Sequence, residues 1–291
     1  MSSVLDLSDR LSWVEDGDLK PFIMARHACR VKNPGENFNL DWFARAPLFM
    51  DPLIMKDVYF ADSLLAMETR AFSASDMATP RWVFYDCAIM PGFISGFAHK
   101  TETLPDSIRK IIGEKNLIGE WTPISMFIVI PTMVPNEWMA HNLSSINAMI
   151  PKEDRLYGLG FLSKAFGLAY ANIKICCGVT QWGSPSMRLH SRYGFFEVLT
   201  AYTPAHTHAT SLTYRLNVDT KEWPRFFSKE KSQEFFNRFE PAGFDVDPKD
   251  VNSLKNFQKK IEFKRGPYFL NAFEIREKSL DEPLTVYRPM L

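Results

Sequence analysis

The stretch from Arg155 to Thr180 constrains the fold more than any other part of the chain. Arg155-Leu-Tyr-Gly158-Leu-Gly160 is a glycine turn, and the run from Phe161 to Ile173 behind it is apolar on most faces. A helix without a polar face must be covered on all sides. Lys174-Ile-Cys-Cys-Gly-Val-Thr180 then reads as a strand buried on both faces. A turn, a buried helix and a buried strand in succession call for a sheet with helices packed on it.

The flanking segments extend that alternation. Asp57–Phe72 spaces its apolar residues as a helix does. Arg81–Cys87, rich in β-branched and aromatic residues, reads as a strand. Pro91-Gly92 and a second strand, Phe93–Ala98, would complete a hairpin with it. Residues 104–116 read as helix or loop, and Ile124–Ile130 is a near-continuous apolar strand closed by Pro131. The polar, Met-rich segment Thr132–Asp154 carries no clear pattern and reads as a loop or acceptor-site lid. Ser184-Pro185 reads as an N-cap with proline at the first helical position, opening a short helix that Gly194 stops. Strands follow at Phe195–Thr203 and Ala209–Asn217, then two amphipathic helices after Asp219 and a last strand at Leu284–Arg288. The expected organisation is an N-terminal extension over 1–55, a core over 56–218 and a mainly helical C-terminal extension over 219–291 packing on that core. The fold class is α/β (α+β), a mixed, mostly antiparallel sheet flanked by helices.

Composition excludes several functions. Thirty-four Lys and Arg balance 34 Asp and Glu, so no whole-molecule field draws the chain to nucleic acid or anionic membrane. No run reaches 18 consecutive apolar residues, so no membrane span is expected. The N-terminus carries acids where a signal peptide needs basic residues, and the reading is a soluble, cytoplasmic protein. In such a compartment the Asn142-Leu-Ser144 sequon is a chance match. Cys29, Cys87, Cys176 and Cys177 match neither a zinc spacing nor a disulfide framework, and they read as structural thiols. The 24 Phe, against 16 Tyr and Trp together, fit a Phe-rich core or an apolar tunnel for an acyl chain.

The glycine turn has a chemistry of its own. Glycine lets the backbone bend tightly and approach a ligand closely. The first turn of a helix leaves N–H groups without intrahelical partners and carries partial positive charge. Together these favour phosphate oxygens. The same pattern also serves as a plain turn into a helix.

The order of the elements decides between these readings. Arg155-x-x-Gly158-x-Gly160, the buried helix, the strand and Leu189-His190-Ser-Arg-Tyr-Gly194-Phe195 resemble the GNAT superfamily, the Gcn5-related N-acyltransferases. The resemblance spans roughly residues 57–217. Its signatures are Gln/Arg-x-x-Gly-x-Gly/Ala at a pyrophosphate-binding turn and a later Leu-Tyr-x-x-x-Gly-Phe on the helix that faces the thioester. Three departures stand out: His190 replaces the family's tyrosine, Gly183 falls near its usual asparagine, and about 24 residues separate Ile130 from Arg155.

The resemblance implies acyl transfer from acetyl-CoA, or a longer acyl-CoA, to the amine of a small molecule or amino acid. Arg155, Leu156, Tyr157, Gly158, Leu159, Gly160 and Phe161 would hold the pyrophosphate. A backbone N–H on the long strand, at Ile128, Val129 or Ile130, would meet the thioester oxygen. His190 is the first choice to protonate the leaving thiolate, Tyr193 the second, and Glu120 a candidate base bordering the acceptor cleft. His206 and His208 share one face of an extended segment but lack a third ligand, so no metal is expected. Two other readings stay open. One takes its donor from an acyl-carrier protein, as do the branch's N-acyl amino acid and acyl-homoserine lactone synthases. The other is a non-catalytic scaffold. A homodimer would fit the aromatic C-terminal extension.

Overall fold

A computed structural model describes residues 17–26, 46–73, 78–89, 92–206, 208–219, 223, 237–263, 266–279 and 281–290. The chain falls into two compact units, one from residues 7–173 and one from residues 174–291.

In the first unit the strands β1 (Leu19–Met24), β2 (Leu48–Met50), β3 (Phe93–Lys100), β4 (Trp121–Pro123), β5 (Ser125–Pro131) and β6 (Glu137–Ser145) lie in the order β6-β5-β3-β1-β2, with β4 also beside β3. Every pairing is antiparallel except β1 with β2. The helices are α1 (Met55–Phe72), α2 (Arg81–Ile89), α3 (Asp106–Ile112) and α4 (Leu159–Tyr170). Alternation along β3 and β5 divides the core. Ile94, Ala98, Met126 and Ile128 pack with Phe60, Leu64 and Phe84 of α1 and α2. Phe97 turns the other way, its ring centroid 6.2 Å from that of Phe166 on α4. Gly167 sets how close α4 lies: a Cβ there would fall 2.5 Å from Ser95 Oγ and 2.8 Å from the Phe127 ring.

Three expectations fail in this unit. Arg81–Cys87 is not a strand but most of α2. Its buried residues, Phe84, Cys87 and Ala88, sit at helical spacing, so packing overrides the β propensity of its aromatic run. Phe93–Lys100 therefore has no hairpin partner before it and pairs with β1, β4 and β5. Thr132–Asp154 is not a loop, because it contains β6 and two single-turn helices at 146–148 and 152–154. The N-terminal segment supplies β1 and β2, so part of it belongs to the sheet.

The second unit holds β7 (Ile175–Gln181), β8 (Gly194–Thr200), β9 (Ser211–Val218), β10 (Phe239–Val246), β11 (Tyr268–Leu270) and β12 (Leu284–Pro289), in the antiparallel order β10-β12-β11-β8-β9-β7. Helix α5 (Pro185–His190) starts as its sequence predicts: Ser184 Oγ accepts from the Met187 N–H at 3.3 Å, and Pro185 stands first. Of the two amphipathic helices expected after Asp219, one is α6 (Val251–Glu262), which buries Leu254 and Phe257. Residues 224–236 of the stretch expected to hold the other lie outside the described residues. Among its described residues the C-terminal segment holds the strands β10, β11 and β12 as well as α6 and α7 (Ala272–Glu277). No helix among the described residues is long and apolar enough to cross a membrane.

Candidate functional site

The glycine turn forms between β6 and α4, held from behind by one side chain. Asn147 Oδ1 accepts from the Leu156 N–H at 3.0 Å, and Asn147 Nδ2 donates to the Leu156 carbonyl at 2.6 Å. Gly158 then takes a left-handed conformation, φ 77° and ψ 4°, directly before α4. A side chain there costs about 1–2 kcal/mol, which is why glycine occupies it. The Gly158 carbonyl accepts from the Leu162 N–H at 2.8 Å and closes the first turn of the helix. Gly158 has no side chain to cap α4, so the first-turn amides and the dipole are not offset by a protein carboxylate or hydroxyl at that position. Arg155 lies exposed beside the turn, its Nε donating to the Ile150 carbonyl at 3.2 Å. Gly160 is the residue of α4 that is not buried.

The strand that leads into this turn carries a β-bulge. Phe127 pairs with Leu143 and Val129 with Ala140, so Ile128 alone faces both His141 and Asn142. A bulge leaves one residue outside the ladder and re-aims its side chain. Asn142 Nδ2 donates to Glu68 Oε1 at 2.9 Å and to Thr79 Oγ1 at 2.8 Å. Glu68, on α1, is completely buried and also accepts from the Thr79 N–H and hydroxyl. Burial raises its pKa, against the opposing pull of those hydrogen bonds. His141 is solvent-exposed. The protein around its imidazole still lowers its pKa, and the neighbouring Asn142 side chain works the other way.

The sequence-predicted residues fall on several elements of the two units. Arg155 to Phe161 form the turn in the first unit. Ile128, Val129 and Ile130 lie on β5, one strand away from the strand that runs into the turn, because β6 intervenes. Glu120 is exposed just before β4, and its carbonyl accepts from the Thr101 N–H at 2.8 Å. His190 and Tyr193 belong to the second unit. His190 is 6% exposed and stacks on Tyr214 with ring centroids 5.0 Å apart, and Tyr214 stacks in turn on Phe196. Tyr193 is completely buried, and burial holds its hydroxyl well above the ordinary phenol pKa. Its backbone carbonyl accepts from Trp223 Nε1 at 3.3 Å.

His206 Nδ1 accepts from the His208 N–H at 3.1 Å. Among the described residues no three His, Cys, Asp or Glu stand close enough to hold a metal. Cys87 and Cys176 are buried, and Cys87's thiol pKa is raised by burial. Cys29 lies outside the described residues. The sequon asparagine is spent on Glu68 and Thr79, which leaves its amide no room for a glycan. His141, Asn147 and Glu68 escaped the sequence reading and Asn142 entered it only as a sequon, since a lone polar residue announces no geometry.

No protein-family model matches the sequence, and no curated protein does. Solved structures do match. One, from Desulfovibrio desulfuricans, is described as a member of the GNAT family of acetyltransferases. It is 17% identical and aligns over 54% of this chain and 93% of its own, with a TM-score of 0.35. The ribosomal-protein-S18-alanine N-acetyltransferase of Escherichia coli is 13% identical over 57% of this chain and 91% of its own, with a TM-score of 0.38. A chain of the NatC complex bound to Gag peptide and CoA is 10% identical over 57% and 96%, with a TM-score of 0.37.

Proposed function

We propose that the chain is an N-acyltransferase that moves an acyl group from coenzyme A to the amine of a small molecule or amino acid. The observation that carries this reading is the turn at 155–161: a left-handed Gly158, clamped by Asn147 through Leu156, at the N-terminus of a buried twelve-residue helix. That arrangement suits a pyrophosphate, with the amides of α4's first turn and the exposed Arg155 as its donors.

The thioester oxygen gains negative charge as the amine attacks, and a fixed N–H near it lowers the barrier. On this reading the donor comes from the bulge of β6, at His141 or Asn142, rather than from Ile128–Ile130. A bulge takes a residue out of the ladder, and β6 is the strand that leads into the turn. Glu120 is exposed and Tyr193 is sealed in the core, so neither is assigned a part in the chemistry. His190 is assigned to the aromatic stack with Tyr214.

The test is thiol release from acetyl-CoA in the presence of amines: free amino acids, polyamines and short peptides with free N-termini. Amine-dependent release is expected, and it should disappear when Gly158 and Gly160 are both replaced by valine in a chain that still folds. Release only from longer acyl-CoAs would shift the donor to long chains. Release only from acyl-carrier protein would shift the donor to the carrier. Release from none would sink the transferase reading and favour a binding scaffold.

A further inference from the structure

Resting on the acyltransferase reading, we propose that His141 is the general base that accepts the amine's proton, and that Asn142 and Glu68 are positioning residues that aim it. The bulge puts His141 and Asn142 opposite the same residue, Ile128, so the exposed imidazole sits beside an amide anchored in the interior. That anchor is rigid. Asn142 Nδ2 is spent on Glu68 and Thr79, and the Glu68 carboxylate is fixed by the N–H and hydroxyl of Thr79. With its nitrogen committed, Asn142 has its carbonyl oxygen left for the histidine. The Asn142 side chain favours the charged imidazole, the sign expected of an oxygen that faces a ring N–H. On the proposed arrangement one ring nitrogen serves as a donor to that oxygen, and the other keeps its lone pair for an incoming proton.

The charged groups around His141 leave that lone pair available. From α1 the titratable neighbour is Glu68, behind Asn142. Helix α4 brings Lys164, which lies over the Phe127 ring at 5.7 Å and so on the face of β5 opposite to Met126 and Ile128. Strand β5 carries no charged residue, and Glu137 on β6 is engaged by the Thr132 hydroxyl at 3.0 Å. Shielding by the protein is the larger influence, and it lowers the imidazole's pKa.

The step balances as follows. An ammonium, RNH3+, gives a proton to the free nitrogen of His141, making imidazolium and RNH2. The amine lone pair forms the N–C bond to the thioester carbonyl carbon. The C–S bond breaks with its electron pair on sulfur, and the proton lost from the attached nitrogen goes to the thiolate. The imidazolium returns its proton to solvent, so RNH3+ and acyl-CoA become RNH-acyl, CoA-SH and one proton.

The test uses the full chain, acetyl-CoA and an amine that scores in the thiol-release screen. His141→Gln should lower kcat by about 100-fold or more, within the range general bases contribute. Acetyl-CoA affinity should change by less than about 2-fold, because His141 takes no part in the phosphate turn. Wild-type kcat should rise with pH along an acid limb whose midpoint lies below the ordinary histidine value of about 6.5, and the variant should lack that limb. Asn142→Ala should move the midpoint, and the NMR titration of the His141 ring, further down. In His141→Ala, imidazole added to the buffer should restore part of the rate, a readout that a merely structural role would not give. Wild-type rate retained in His141→Gln would overturn the assignment of His141 alone. Absence of turnover of every acyl-CoA and of acyl-carrier protein by the wild-type chain would overturn the transferase reading and this base with it.

Discussion

Glu68 offers the sharpest energetic test of the site, because a fully buried carboxylate joins α1, the Thr79 backbone and β6. In Glu68→Ala the Thr79 N–H loses both carboxylate oxygens, and Asn142 Nδ2 keeps only Thr79 Oγ1. An orphaned buried donor costs about 1–3 kcal/mol. The removed side chain adds a cavity term, so a loss of roughly 2–4 kcal/mol is expected. Glu68→Gln keeps one acceptor oxygen for all three donors and removes the buried charge, and should change stability by less than about 1 kcal/mol. Urea titrations followed by tryptophan fluorescence measure both. Their pH dependence has a defined sign. The folded pKa of Glu68 is raised, so the folded state holds a proton that the unfolded state has released. The stability of wild type relative to Glu68→Gln should therefore fall as pH rises from the unfolded value through the folded one. Toward acid it should grow and then level off. A loss below about 0.5 kcal/mol in Glu68→Ala, or a relative stability that rises with pH, would refute the reasoning.

Further expectations concern the turn and the second unit. Gly158→Ala forces a side chain into the left-handed region and should cost about 1–2 kcal/mol in urea unfolding. Asn147→Ala removes both clamps on Leu156 and should weaken acetyl-CoA binding measurably with little change in far-UV circular dichroism. Tyr214→Leu breaks the stack between His190 and Phe196 and should cost about 1–3 kcal/mol, read as a lower thermal midpoint. Cys87 should react with a maleimide reagent far more slowly in the native chain than in urea, since burial raises its thiol pKa.

Sequence reasoning succeeded where a local signal and the final packing agree. The turn at Gly158, the buried, mostly apolar α4, the Ser184-Pro185 start of α5 and the strands β7, β8 and β9 were legible for that reason. It failed where tertiary contacts decide. Trp82-Val-Phe-Tyr has the composition of a strand, but Phe84, Cys87 and Ala88 have the spacing of a helix. Strand β6 hid because its buried positions include Glu137 and Ser144, polar residues whose partners are distant in sequence. Strand β10 contains Pro241 and a left-handed Gly243, which read as breakers but fit a strand whose register shifts between Pro241 and Asp245. The histidine singled out from sequence, His190, sits in an aromatic stack, whereas His141 lies on the strand that leads into the turn. Exposure and bulge geometry separate those two histidines, and neither is written in a single sequence.

The most direct measurement of the central claim is a calorimetric titration of the full chain with acetyl-CoA, repeated with Gly158 and Gly160 both replaced by valine. Saturable binding by the wild-type chain, lost in the folded variant, is the predicted result. Equal binding by both would place the donor elsewhere than the turn at 155–161, and no binding by the wild-type chain would contradict a coenzyme A site altogether.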